Sequence, residues 1–202
     1  MPRCKPYQPL LLRLLHGINA LLIIGATMAG FLVYDSWDGR FGALFLTKAN
    51  RNLIDIHGTF GFFVSFVTLP IFLIYCWNAG KRRLIHGNTL QQLGDVARPG
   101  WWYAMQRVAN SLMLVAALFA VISGKFQDEN WLPRGELNHT AYYLHLLAWV
   151  VIVLVLGIHL LMSAKVGGLS LLLSMFDITY RSNDSPRLWP EKINNWLHRR
   201  KS

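Results

Sequence analysis

The sequence predicts an all-α integral membrane protein, a bundle of four helices, and three observations carry that prediction. The chain has 202 residues of which 53% are hydrophobic, and only 30 side chains are charged, 20 basic and 10 acidic. That is too few to cover a soluble surface evenly. The charges are also clustered, leaving apolar runs over 10–33, 53–77, 103–123 and 141–164. Each is about 20 residues or longer and so spans roughly 30 Å of hydrocarbon as a helix. Backbone polar groups in lipid must be paired within each segment, which makes helices the expected form. The whole chain reads as one membrane domain.

The first run follows Arg3, Lys5 and Arg13, as a signal peptide would, but it is longer than an h-region and has no small-residue cleavage site at its end. It is expected to be a span. Loops one and three are moderate in length, and the first carries Trp37, Phe41, Leu44 and Phe45 toward the outer interface. The loop 78–98 contains Lys81-Arg82-Arg83 and three glycines, a composition suited to a solvated connector. Trp101, Trp102 and Tyr103 mark re-entry. After the fourth span Gly167-Gly168 breaks the helix, residues 169–180 read as a short interfacial helix, and 181–202 as a polar cytoplasmic tail.

Net charge of +10 would suggest nucleic acid in a soluble chain, but here its distribution is the message. The two tails and the middle loop carry fifteen basic residues against four acids, net +11; the other two loops carry five against six, net −1. By the positive-inside rule both termini face the cytoplasm. No nucleic-acid partner is expected; the partner is the lipid bilayer, with anionic lipid on the basic side. Cys4 and Cys76 fall on the reducing side and are expected as free thiols.

Four of the seven histidines, His16, His57, His145 and His159, lie inside the spans, where an ionisable group is a functional hypothesis by default. His145 and His159 are 14 residues apart, which brings them to within about 40° of the same helix face, about 21 Å apart along the axis. Because the chain alternates direction, His16 and His159 share the inner level, while His57 and His145 share the outer one. Two stacked bis-imidazole sites follow, and two axial nitrogens facing each other across a wide apolar slot suit haem. Zinc would need further ligands that neither level supplies. The competing reading, histidines that only hydrogen-bond neighbouring helices, holds for one such residue but makes four matched depths accidental. His139 projects elsewhere, near the outer interface; His86 and His198 lie in loop and tail.

Gly17, Gly25, Gly30, Gly58, Gly61 and Gly157 leave room for a haem face or for close helix packing. Arg13, Arg51 and Arg107 sit at helix ends, placed to pair with propionates or with lipid phosphate. No catalytic residue is assigned. Trp131, Arg134 and His139 outside, and Trp101, Trp102 and Arg107 inside, are loose candidates for a quinone site, with aromatic anchoring as the alternative.

The segment Arg13-Leu14-Leu15-His16-Gly17-Ile18-Asn19-Ala20-Leu21 resembles the Arg-x-x-His-Trp-x-Asn-Ala-Leu opening of the bacterial cytochrome b561 and nickel–iron hydrogenase b-type cytochrome family, with Gly17 in place of Trp. Ile56-His57-Gly58-Thr59-Phe60-Gly61, the paired histidines of the fourth span and the segment 168–175 are similar as well. The resemblance implies a diheme b-type cytochrome of the bacterial cytoplasmic membrane, with His16, His57, His145 and His159 as ligands, relaying electrons between quinone and a redox partner such as a dehydrogenase subunit. Two alternatives differ in class. One is a self-contained superoxide:quinone oxidoreductase, which the negative outer loops disfavour for an anionic substrate. The other is a haem-free anchor, which predicts colourless protein.

Overall fold

The computed structural model describes residues 7–96, 98–191 and 194–195. Arg3, Cys4, Lys5, Lys192, His198, Arg199, Arg200 and Lys201 of the sequence reading lie outside the described residues. The described residues are 78% helical and include no strand. The elements are α1 (Leu10–Trp37), α2 (Arg51–Arg83), α3 (Gly87–Gly94), α4 (Pro99–Lys125), α5 (Trp131–Arg134) and α6 (Thr140–Ser174). α1, α2, α4 and α6 are each long and apolar enough to cross a membrane.

Every one of these four helices outlasts its apolar run, because hydrogen bonding and capping end a helix while lipid ends only the run. α2 shows this most clearly. Asn50 caps its start, accepting from the Asn52 N–H at 2.9 Å. In mid-span Pro70 has no N–H to give the carbonyl four residues back, and the ladder widens to a π-turn over Val64–Thr68. At the end of that turn the Thr68 carbonyl accepts from the buried amide of Asn19 on α1 at 3.3 Å. α2 then continues through a second π-turn, Cys76–Gly80, and a 3₁₀ turn, Lys81–Arg83. The connector expected over 78–98 is therefore helical at its start and again in α3. His86 and buried Thr89 nucleate α3 by capping each other reciprocally, the His86 N–H donating to Thr89 Oγ1 at 3.0 Å.

The C-terminal segment also departs from expectation. The expected break is present at Gly168, whose φ of 66° and ψ of −170° belong to glycine alone, and a short helix follows it, but that helix ends at Ser174 instead of 180 and 176–180 is non-helical. The reason lies in competing hydrogen bonds. Thr179 donates both its N–H (2.9 Å) and its hydroxyl (2.8 Å) to Asp177 Oδ1, and the carbonyls of Asp177 and Thr179 both accept from the Arg13 guanidinium. Asp184 then reaches α1, accepting from the Leu10 N–H at 2.6 Å and the Tyr7 hydroxyl at 2.5 Å, so the tail caps the first helix.

Arg13 is buried, and its charge-assisted bonds hold this segment down with about 3 kcal/mol. Arg13→Ala is expected to raise trypsin cleavage at Arg181 and Arg187 by roughly a hundredfold, measured as the rate of tail loss from detergent-solubilised protein. Unchanged cleavage would remove the anchoring role.

The four long helices pack as two hairpins of similar extent, α1 with α2 and α4 with α6; α1 touches α6 only slightly. Small residues let α4 and α6 approach closely: Ala104, Ala109, Ala116 and Ala117 on one side and Ala148 on the other are buried. At mid-depth Val64 and Leu69 of α2 meet Ala117 of α4, with Leu22 and Ile23 of α1 against them. This apolar plug separates the two ends of the bundle.

Candidate functional site

The two hairpins bring the four span histidines together in pairs. At the end of the bundle where α1 starts, which the charge division predicts to be the inner one and the opposite end the outer, His16 of α1 faces His159 of α6, ring centres 6.1 Å apart and planes 30° apart, with the Phe72 ring edge-on to His16. The Nδ1 of His159 is buried and has no hydrogen-bond partner.

At the outer end His57 of α2 faces His145 of α6, ring centres 5.9 Å apart and planes 67° apart. Here both rings are anchored. His57 Nδ1 lies 2.9 Å from the Ala26 carbonyl, which only accepts, so Nδ1 carries the proton and Nε2 keeps its lone pair. His145 Nδ1 lies 3.0 Å from Ser123 Oγ, whose own proton is committed to the Phe119 and Ala120 carbonyls at 2.8 and 3.2 Å. The hydroxyl therefore accepts from His145. Two glycines make these approaches possible. A Cβ on Gly30 would stand 2.9 Å from His57 Cε1, and one on Gly124 would stand 3.1 Å from His145 Cε1.

Both outer rings border a cavity of about 970 Å³ that reaches the outer surface. Gly58 and Gly61 line it with open space beside them, Trp149 closes part of its wall with its indole N–H on the Thr27 carbonyl (2.8 Å), and Asp55, Asp128, Glu129 and Lys125 stand in its lining. The Asn130 backbone and side chain hold the Asp128 carboxyl below its usual range, so this lining is negatively charged at neutral pH.

The remaining candidates are engaged elsewhere. Arg13 holds the C-terminal segment, Arg51 pairs with Glu129 at 3.0 Å, and Arg107 donates to Gln92 of α3 at 3.0 Å. His139 stacks on Trp131 with ring centres 3.8 Å apart, and His86 caps α3. Trp101 and Trp102 pack on each other, and the Lys165 ammonium sits 4.8 Å from the Trp102 ring centre. Arg134 ends the single turn of α5. Gly25 faces Phe60 instead of an imidazole, while Gly17 and Gly157 have no atom within 4 Å of an added Cβ. Sequence reasoning missed Ala26, Ser123 and Gly124. The Ser-Gly pair near the outer end of α4, level with His145, was the available signal.

A metal ion held between two imidazole nitrogens at about 2 Å each places the ring centres about 6 Å apart, and both pairs stand at that spacing. Among the described residues no three His, Cys, Asp or Glu side chains gather to hold a metal by themselves. The donor set thus fits a metal whose other ligands come with it in a flat macrocycle, and the open glycines of the outer cavity leave room for such a plate. A helical membrane bundle with facing buried imidazoles has the framework of a membrane cytochrome of b type. Residues 7–177 match the family model described as prokaryotic cytochrome b561, and the chain belongs to that family. Comparison with curated proteins and with solved structures gave no match. The protein is accordingly a multi-pass bacterial membrane cytochrome that binds b-type haem and acts in electron transfer.

Proposed function

We propose that the protein is a diheme cytochrome, with His16 and His159 ligating an inner b haem and His57 and His145 an outer one, carrying electrons between membrane quinone and a redox partner protein. The observation that carries this reading is the spacing of the two imidazole pairs, 6.1 and 5.9 Å between ring centres at the two ends of one bundle. Bis-histidine iron exchanges single electrons with the same six ligands in both states. The protein's part is to hold the two outer rings in the tautomer that leaves Nε2 free, to exclude water from the inter-helix space, and to separate the two levels with the apolar plug around Val64, Leu69 and Ala117.

On this reading Arg51 and Arg107, whose present partners Glu129 and Gln92 are single hydrogen bonds, serve the propionates at the outer and inner faces, and Arg13 secures the tail beneath the inner pair. Both termini lie on the cytoplasmic side, as the +11 against −1 charge division directs. A superoxide-oxidising activity finds no support here, because the carboxylates lining the outer cavity repel an anion.

The test is a haem-to-protein ratio with reduced-minus-oxidised spectra on detergent-purified protein and four alanine variants. Two low-spin haems are expected, His16→Ala and His159→Ala each losing one and His57→Ala and His145→Ala each losing the other. Losses that do not pair in this way, or a single haem in the parent protein, would overturn the assignment.

A further inference from the structure

The two ends of the bundle treat their imidazoles differently, and on the two-haem reading this difference has a consequence for electron placement. We infer that Ala26, Gly30, Ser123 and Gly124 form a seat for the outer imidazoles that makes the outer haem the harder of the two to reduce.

The seat is built alike on two helices that carry no outer ligand. On α1 the Ala26 carbonyl is the i−4 partner of Gly30, and the missing side chain at Gly30 bares that carbonyl to His57 at 2.9 Å. On α4 the Gly124 notch admits the His145 ring, and Ser123, buried beside it, accepts its Nδ1–H at 3.0 Å. Each ring is thus fixed by a close glycine and by a hydrogen bond at Nδ1.

A hydrogen bond donated by the non-ligating nitrogen pushes electron density into the ring and raises the basicity of the ligating one. A more basic axial ligand stabilises ferric over ferrous iron and lowers the potential. Both outer rings have this bond. At the inner level His159 Nδ1 is buried and donates to nothing, so its ring is the weaker electron donor. Fixed charges act with the same sign: Arg51 offsets Glu129 and Lys125 offsets one further carboxylate, which leaves the outer cavity, with Asp55 and Asp128, negative by one charge and favours the more positive ferric state, whereas the inner loops and tails are net basic in sequence. An electron shared between the two levels therefore resides inside. Ser123 is a positioning residue in this scheme, acting through His145 and touching no metal.

Potentiometric titration of the α-band of the purified holoprotein, with haem content measured on the same samples, tests the inference. Two one-electron steps are expected, and Ser123→Ala should raise the lower one, shifting the reduced-to-oxidised ratio of that haem by up to about tenfold at fixed potential, about 60 mV for a one-electron couple. Ser123→Thr, which restores a hydroxyl acceptor, should return the step to its original position. His145→Ala should abolish the lower step and keep the upper. Movement of the upper step in Ser123→Ala, or two unmoved steps with two haems still bound, overturns the seat's role while leaving the diheme reading intact. A single haem in the parent protein overturns that reading, and this inference with it.

Discussion

Asp35→Ala is expected to release the outer loop between α1 and α2 and to destabilise the protein, by one of the larger effects for a single substitution. The carboxylate of Asp35 is buried near the outer end of α1, where it accepts the backbone N–H groups of Leu44 at 2.5 Å, Phe45 at 3.1 Å and Leu46 at 2.8 Å. Three successive amides converge on one side chain, and Phe45 adopts a φ of 54°, a costly conformation for a bulky residue that this convergence sustains. Around it Phe41, Leu44 and Leu46 present exposed apolar side chains at the end of the bundle, where water to replace the lost acceptor is scarce. Each charge-assisted bond contributes about 1.5–3 kcal/mol, and the three together contribute less than their sum. Asp35→Asn, which keeps one acceptor oxygen, should lose about half as much. Hydrogen exchange read by mass spectrometry over residues 44–46 checks this directly. Amides still protected in the alanine variant would show that the loop holds itself.

On the diheme reading, Gly30→Val is expected to cost the protein the haem held by His57 and His145 and to keep the other one. An added Cβ stands 2.9 Å from His57 Cε1 and 3.2 Å from Nδ1, closer than side-chain carbons approach, and the branched γ-carbons widen the clash. The ring cannot retreat without leaving the Ala26 carbonyl. Helix propensity would favour the change by up to about 1 kcal/mol, too little to offset the loss of a ligand's position. Gly25→Val is the matched control. It meets the Phe60 ring at 2.8 Å, so it disturbs packing between the same two helices without touching an imidazole. A haem-to-protein ratio near one for Gly30→Val and near two for Gly25→Val is the expected result. Equal ratios would reduce the Gly30 contact to ordinary packing.

These two residues show where the sequence was legible and where it was not. The helices were readable because lipid imposes a length on apolar runs, and the facing of the histidines was readable because four antiparallel spans turn sequence position into depth. Rotation about each helix axis was not readable in the same way. Gly30 drew notice as a small residue near a ligand, but its role against His57 depends on which way α1 is turned. Gly124 drew none, because its helix carries no histidine within the span. Asp35 entered only as one acid in a charge count, since nothing local announces that three amides nine to eleven residues later will fold back on it. The end of the helix after Gly168 was misread for a similar reason: residues up to 180 favour a helix taken alone, and Arg13, more than 160 positions away, takes the carbonyls of Asp177 and Thr179 that a helix would have used.

The division into two hairpins bears on how the protein is made. α1 and α2 emerge from the ribosome as one half and α4 and α6 as the other, and each imidazole pair takes one ring from each half. On the diheme reading the cofactors are cross-links between halves that otherwise meet through the mid-depth plug, the grip of Arg13 and Asp184 between tail and α1, and polar contacts such as Trp149 on Thr27. Assembly in the bilayer then becomes a docking reaction driven by ligand, with mass action of haem setting the fraction of joined molecules. A cell short of haem would accumulate separated hairpins, each exposing a polar ring to lipid, and such halves are natural prey for membrane quality control.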